Sequence, residues 1–149
     1  MASRITPYLL YEDGAAAMDF IRDAFGFEEV VRSHSPEGRM WHGELRLGDD
    51  NVFVGEPGGA YKNPKRLGTT TVGIHVYVDD VEAHFEQAKA AGAEIAEEPT
   101  DQRYGDRRYT ARDPEGQQWF FATKVREVAP EEWGAEVASS SSSSSSSST

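Results

Sequence analysis

The sequence predicts an α+β protein built from two tandem βαβββ units that form a cup-shaped mixed sheet with helices on the outside. One arrangement occurs twice, at residues 8–30 and 74–95: an apolar strand, an Asp, an amphipathic helix, a Gly and a second strand. Asp13 is followed by Gly26 in the first copy, and Asp80 by Gly92 in the second. Each copy leads into two further apolar-rich runs separated by a turn, at 48–51 and at 113–116. A unit of this size cannot bury its own sheet face. The two copies must therefore close on each other around a shared concave surface.

The elements follow in order. A first strand is expected over 5–11, where Pro7 lacks an N–H and so suits an edge position. Asp13 caps a helix whose apolar face is Ala17, Phe20, Ile21, Ala24 and Phe25, and Gly26 ends it. Strands over 27–32, 40–47 and 52–56 complete the first unit, with a turn at Ser35-Pro36-Glu37-Gly38. Residues 57–70 carry three glycines among their turn-formers and show no strand or helix period, so they read as a surface connection. The second unit repeats the plan with a strand over 71–78, a helix with Val81, Phe85 and Ala88 inward, a strand over 94–97, a polar loop over 99–107, and strands over 108–112 and 118–123.

This organisation makes one domain over 1–138: unit one at 4–56, a linker at 57–70, unit two at 71–124 and a C-terminal extension at 125–138. The serine-rich tail 139–149 has no apolar side chain to bury and is expected to be disordered. The chain has no cysteine, which excludes disulfides, thiolate metal sites and cysteine nucleophiles. No apolar stretch is long enough to span a bilayer and no basic-then-apolar leader opens the chain, so a soluble, cytoplasmic protein is expected. Its 26 acidic and 15 basic residues give a formal charge of −11, which argues against nucleic acid as a partner and suits a cationic ligand.

Strand alternation separates helix-facing from cleft-facing side chains. Val72, Ile74, Val76 and Val78 form one aliphatic face, so Gly73, His75 and Tyr77 line the cleft, with Thr6, Tyr8 and Leu10 at the matching positions of the first unit. His42, Glu44 and Arg46 share the polar face of their strand, which looks either to the cleft or to solvent. Trp119 and Phe121 are expected in the core, with Phe120 between them facing the cleft.

The tandem plan, the run Asp13-Gly14-Ala15-Ala16-Ala17-Met18-Asp19-Phe20 leading to Phe25-Gly26-Phe27, the helix start Val78-Asp79-Asp80-Val81-Glu82-Ala83, Ala90-Ala91-Gly92-Ala93 and Arg112-Asp113-Pro114-Glu115-Gly116 together resemble the vicinal oxygen chelate superfamily. That group includes glyoxalase I, extradiol dioxygenases, fosfomycin-modifying enzymes and bleomycin-resistance proteins. The resemblance covers residues 4–124, and the run from His42 to Gly48 is similar to the PhnB-like subgroup. It implies the glyoxalase/bleomycin-resistance fold and a homodimer, in which the cleft lies within one chain or is shared by two.

The resemblance also implies where a catalytic divalent metal would be held: one ligand from the first and one from the last strand of each unit. Counting from the helix-start Asp and the turn Gly places these positions at Thr6, Val52, Gly73 and Phe120. None offers an imidazole or carboxylate, so no cofactor is expected. His42, Glu44, Glu56 and His75 are the donors from which a displaced divalent-metal site would be built.

The first functional expectation is a protein that binds a small cationic or aromatic molecule without the usual metal, using Tyr8, His42, Glu44, Glu56, His75, Tyr77 and Phe120. The alternative is a glyoxalase-type lyase, isomerase or dioxygenase that uses a displaced metal or has His75 and Glu56 as catalytic groups. A third is an interaction module with a vestigial cleft and a partner surface near Trp133.

Overall fold

The computed structural model describes residues 3–59 and 61–138; the serine-rich tail lies outside the described residues. The first unit comprises strand β1 (Tyr8–Leu10), helix α1 (Gly14–Phe25) and strands β2 (Glu28–His34), β3 (Met40–Leu47) and β4 (Asp50–Gly55). A short helix α2 (Pro64–Leu67) interrupts the connection, and the second unit follows as β5 (Gly73–Tyr77), α3 (Val81–Ala90), β6 (Glu94–Asp101), β7 (Asp106–Arg112) and β8 (Gln118–Lys124). The strand orders are β1-β4-β3-β2 and β5-β8-β7-β6, each with one parallel pair, β1 on β4 and β5 on β8. The fold is therefore the expected α+β duplication, with two four-stranded mixed sheets.

The helices start and stop for the expected reasons. The Asp13 carboxylate accepts from the Ala16 N–H at 3.0 Å, and Asp80 accepts from Ala83 N–H at 3.1 Å. Gly26 ends α1 at φ 80°, in the left-handed region that glycine adopts freely. Ala17, Ile21, Ala24 and Phe25 are buried as the periodicity predicts, joined by Met18, while Phe20 is half-buried against Phe25. On α3, Val81, Phe85 and Ala88 face inward.

Several strand ends shift, most of all in the first strand, expected over 5–11 and spanning Tyr8–Leu10, and two stretches differ in kind. The linker carries α2, because Asn63 caps it by accepting from Arg66 N–H at 2.9 Å and Gly68 closes it in the left-handed region. The strand expected over 94–97 continues through Pro99 to Asp101. Pro99 is tolerated because β6 is the outer strand of its sheet, where a missing N–H costs no ladder bond.

Helices α1 and α3 each cover one face of their own sheet, and α1 also packs against α3. Phe25 at the end of α1 lies 5.0 Å from the Trp119 ring and 4.7 Å from the Phe121 ring, so one continuous core spans both units. Polar bonds reinforce this junction. The Tyr11 hydroxyl donates to Asp113 at 2.5 Å, and Glu115 accepts from the Glu12 and Asp13 N–H groups at 2.7 and 2.9 Å. Because the units join through their helix-bearing sides, the opposite face of each sheet stays uncovered. Among the described residues, no helix is long and apolar enough to cross a membrane.

Candidate functional site

The uncovered face of the first sheet carries Tyr8, His42, Glu44 and Phe53. Register sets them side by side: Tyr8 pairs with Phe53 across β1 and β4, and Phe53 with Glu44 across β4 and β3. The polar face of β3 thus turns away from the core, in which Leu45 is fully buried. The Tyr8 hydroxyl lies 2.8 Å from His42 Nδ1, and His42 Nε2 lies 2.8 Å from Glu44 Oε2. Phe53 packs edge-on to both rings, at 5.6 Å from Tyr8 and 4.9 Å from His42.

A cavity of about 490 Å3 adjoins this group, lined by Tyr8, Leu10, Trp41, Gly55, Glu56 and Tyr61 among others. Trp41 reaches it because β3 bulges there: Ser33 pairs with His42 and His34 with Met40, which leaves Trp41 as the extra residue. Gly55 is required by close approach, since a Cβ there would sit 3.1 Å from Tyr8 Cε1 and 3.2 Å from the Trp41 carbonyl oxygen. Glu56 borders the cavity, but its carboxylate serves the backbone. Its two oxygens accept from Gly14 N–H at 2.8 Å and Met40 N–H at 3.2 Å.

The uncovered face of the second sheet carries His75, Tyr77, Arg108 and Phe120. His75 pairs with Phe120 across β5 and β8, and their rings lie 6.5 Å apart. Burial pulls the His75 imidazole below its ordinary value; Asp106 opposes that effect and Arg108 adds to it. The Tyr77 hydroxyl donates to the buried Asp106 at 2.9 Å, and that bond raises the phenol above its ordinary value. The Arg108 guanidinium stacks 4.9 Å from the Phe120 ring centre. One face thus offers a carboxylate at Glu44 and the other a guanidinium at Arg108, each beside an aromatic ring.

Four of the expected site residues, Tyr8, His42, Glu44 and Glu56, lie on or beside the first face, and three, His75, Tyr77 and Phe120, lie on the second. Among the described residues, no hydrogen bond, ion pair or ring contact joins the two faces within one chain. A larger cavity of about 710 Å3 lies between the units; Phe25, Val52, Ile74 and His84 line it, and it reaches His75 and Tyr77 of the second face.

The metal positions that the resemblance implies do not suit a metal. Val52 is buried at 4% exposure, and the residue of β4 on the uncovered face is Phe53, because the strand position equivalent to Phe120 follows its turn glycine by one residue more in the first unit than in the second. The corrected set is Thr6, Phe53, Gly73 and Phe120, which holds neither imidazole nor carboxylate. Phe120 also lies over Gly73, where any side chain would collide with its ring. Nor do His42, Glu44, Glu56 and His75 gather as a displaced set: among the described residues, no three His, Cys, Asp or Glu side chains are grouped to hold an ion.

Phe53 and Arg108 escaped the sequence reading. The alternation of Val52 and Val54 around Phe53 carried the signal for the first. For Arg108 the signal was its place two residues from buried Thr110, on the face that alternates with Tyr109 and Ala111.

The chain belongs to the Glyoxalase/Bleomycin resistance protein/Dioxygenase superfamily, whose family model matches residues 4–121. It is 36% identical over 140 residues to the uncharacterized protein Rv0887c of Mycobacterium tuberculosis, covering 91% of this chain and 82% of that protein. Among solved structures, it is similar to TioX from Micromonospora sp. ML1, at 33% identity and a TM-score of 0.69, covering 83% of this chain and 100% of the other. At 15% identity and a TM-score of 0.67, TnmS3, an antibiotic binding protein from Streptomyces sp. CB03234, shares the fold over 84% of this chain and 98% of its own.

Proposed function

We propose that this protein binds a small cationic or aromatic molecule on the faces bearing Tyr8 and Phe120, without the superfamily's usual metal. One observation carries the reading: Phe120 lies across Gly73, so that an aromatic surface stands where two metal ligands would be needed. Beside it on the second face are Tyr77 and, to orient a polar group, Arg108 and His75, while the first face offers Tyr8 and Phe53, with Glu44 to meet a positive group. The formal charge of −11 favours the approach of a cation. That TnmS3, a protein of this fold, is an antibiotic binding protein makes a drug-like ligand a reasonable class. The run from His42 to Gly48 supports a PhnB-like affiliation within the superfamily.

The protein acts as a homodimer in this reading. β1 and β5 are edge strands of their sheets, with Tyr8 and Tyr77 half exposed beside them. A second copy that pairs β1 with the opposite β5 would join the two faces into one cleft and cover both edges. Titration with ethidium, a planar aromatic cation, tests the binding. Saturable fluorescence enhancement is expected, and its loss in the folded double variant Tyr8→Ala, Phe120→Ala; unchanged affinity in that variant would place the ligand elsewhere.

A further inference from the structure

Tyr8, His42 and Glu44 do more than decorate a binding face. We propose that they form a nucleophile–base–orienter relay that transfers acyl groups from activated aryl esters to the Tyr8 oxygen. The proposal rests on the same face as the binding reading but needs no ligand from it. A carboxylate only accepts hydrogen bonds, so the contact with Glu44 at 2.8 Å places the imidazole proton on His42 Nε2. Nδ1 is then the lone-pair nitrogen, and the Tyr8 hydroxyl at 2.8 Å donates to it. A nucleophile within hydrogen-bond reach of a base, itself oriented by a third group, is the arrangement that activates side-chain oxygens for covalent catalysis.

The relay is held by strands rather than loops. Tyr8, Phe53 and Glu44 occupy one row of β1, β4 and β3, and Phe53 packs on both the Tyr8 and His42 rings. Gly55 keeps the space beneath the Tyr8 ring open. Tyr8 is 50% exposed, and the adjoining cavity, which Tyr8 itself lines, offers Trp41 and Tyr61 to a planar leaving group.

In the reaction, the Tyr8 oxygen attacks the ester carbonyl carbon while its proton passes to His42 Nδ1, and Glu44 stabilises the resulting imidazolium. The tetrahedral adduct collapses by breaking the carbon–aryloxide bond. The leaving phenol takes the proton from His42, and the acyl group remains on Tyr8. Water then hydrolyses the acyl-tyrosine, returning the phenol and releasing the carboxylic acid.

The test incubates the intact chain with p-nitrophenyl acetate and follows p-nitrophenol release, intact mass and peptide maps. One acetyl group on Tyr8 is expected, absent in Tyr8→Phe and formed at least about tenfold more slowly in His42→Ala and His42→Gln. Glu44→Gln, which keeps the side-chain shape, should slow it by a smaller factor. Acetylation spread over lysines and other tyrosines at comparable rates would overturn the relay, as would an unchanged Tyr8 rate in a folded His42 variant. Ethidium binding separates the two readings. An inert Tyr8 in a chain that binds ethidium sinks the relay alone, whereas His42-dependent acetyl-Tyr8 in a chain that binds none leaves the relay standing and removes the binding reading.

Discussion

The ring of Phe120 lies across Gly73, filling the space that a side chain on β5 would occupy. The pair explains why a glycine stands on an otherwise well-formed strand, and why the centre of this face is aromatic. Gly73→Ala must push the ring off the strand and away from the Arg108 guanidinium. A loss of about 1 kcal/mol is expected. The same substitution in a Phe120→Ala background should be nearly neutral, because the ring that it displaces is gone. Urea unfolding of the four proteins measures the coupling, and equal costs in both backgrounds would contradict the contact.

Glu56 borders the candidate cavity but ties together two elements. Its carboxylate accepts from Gly14 N–H at the start of α1 and from Met40 N–H at the start of β3. Glu56→Ala strands both donors in a half-buried setting and should cost about 1–3 kcal/mol of stability. Ethidium affinity of the folded variant should stay within about threefold of the parent, a difference of under 1 kcal/mol. A large loss of affinity with unchanged stability would instead make Glu56 a binding group.

His84 on α3 joins the second unit to the end of α1 in the first. Its Nε2–H donates to the Phe25 carbonyl at 2.9 Å, and its Nδ1 lies 2.5 Å from the Tyr109 hydroxyl. Burial lowers its pKa from the ordinary 6.5, although the bond to Phe25 works in the opposite direction. Below 6.5 the unfolded chain therefore takes up a proton that the folded chain resists, and stability falls as the pH drops until the folded-state value is passed. His75 is lowered by burial too and contributes in the same direction. Thermal unfolding between pH 7.5 and pH 5 should show this decline, in the range about the ordinary histidine value, and His84→Gln should flatten part of it. An unchanged slope in that variant would mean that His84 is not the linked group.

Tyr11 and Asp113 bind the two units at their buried junction. Burial, and then the charge of Asp113, push the Tyr11 phenol well above its ordinary value, so it remains a donor. Asp113 also accepts from Trp119 Nε1–H at 3.2 Å and from the Gln117 N–H at 3.0 Å. Tyr11→Phe removes one donor from this carboxylate and should cost about 1–3 kcal/mol. Because the core is continuous across the junction, fluorescence and circular dichroism should still report one coincident unfolding transition. Two separate transitions would show that this bond, rather than the shared core, makes the units cooperative.

Much of the fold was legible along the chain. The doubled Asp–helix–Gly spacing marks both units, helical periodicity picks out Ala17, Ile21, Phe85 and Ala88, and alternation separates Trp119 and Phe121 from Phe120, because period and capping are local properties of the backbone. The site was legible only in part. The side-chain types at Tyr8, His42, Glu44 and His75 could be read, whereas the count from Gly48 reached Val52 instead of Phe53, since a one-residue difference in spacing from the turn glycine reverses the face that a strand position takes.

The sequence by itself determined the duplication, the core faces and the absence of imidazole and carboxylate at the implied metal positions. Only the tertiary structure decided that Glu56 serves two backbone amides, that Tyr8, His42 and Glu44 form a chain of hydrogen bonds, and that the units meet through α1 and α3 with their polar faces apart. Those outcomes depend on register between strands far apart in sequence and on which faces pack first. Neither is a property of any local stretch of chain.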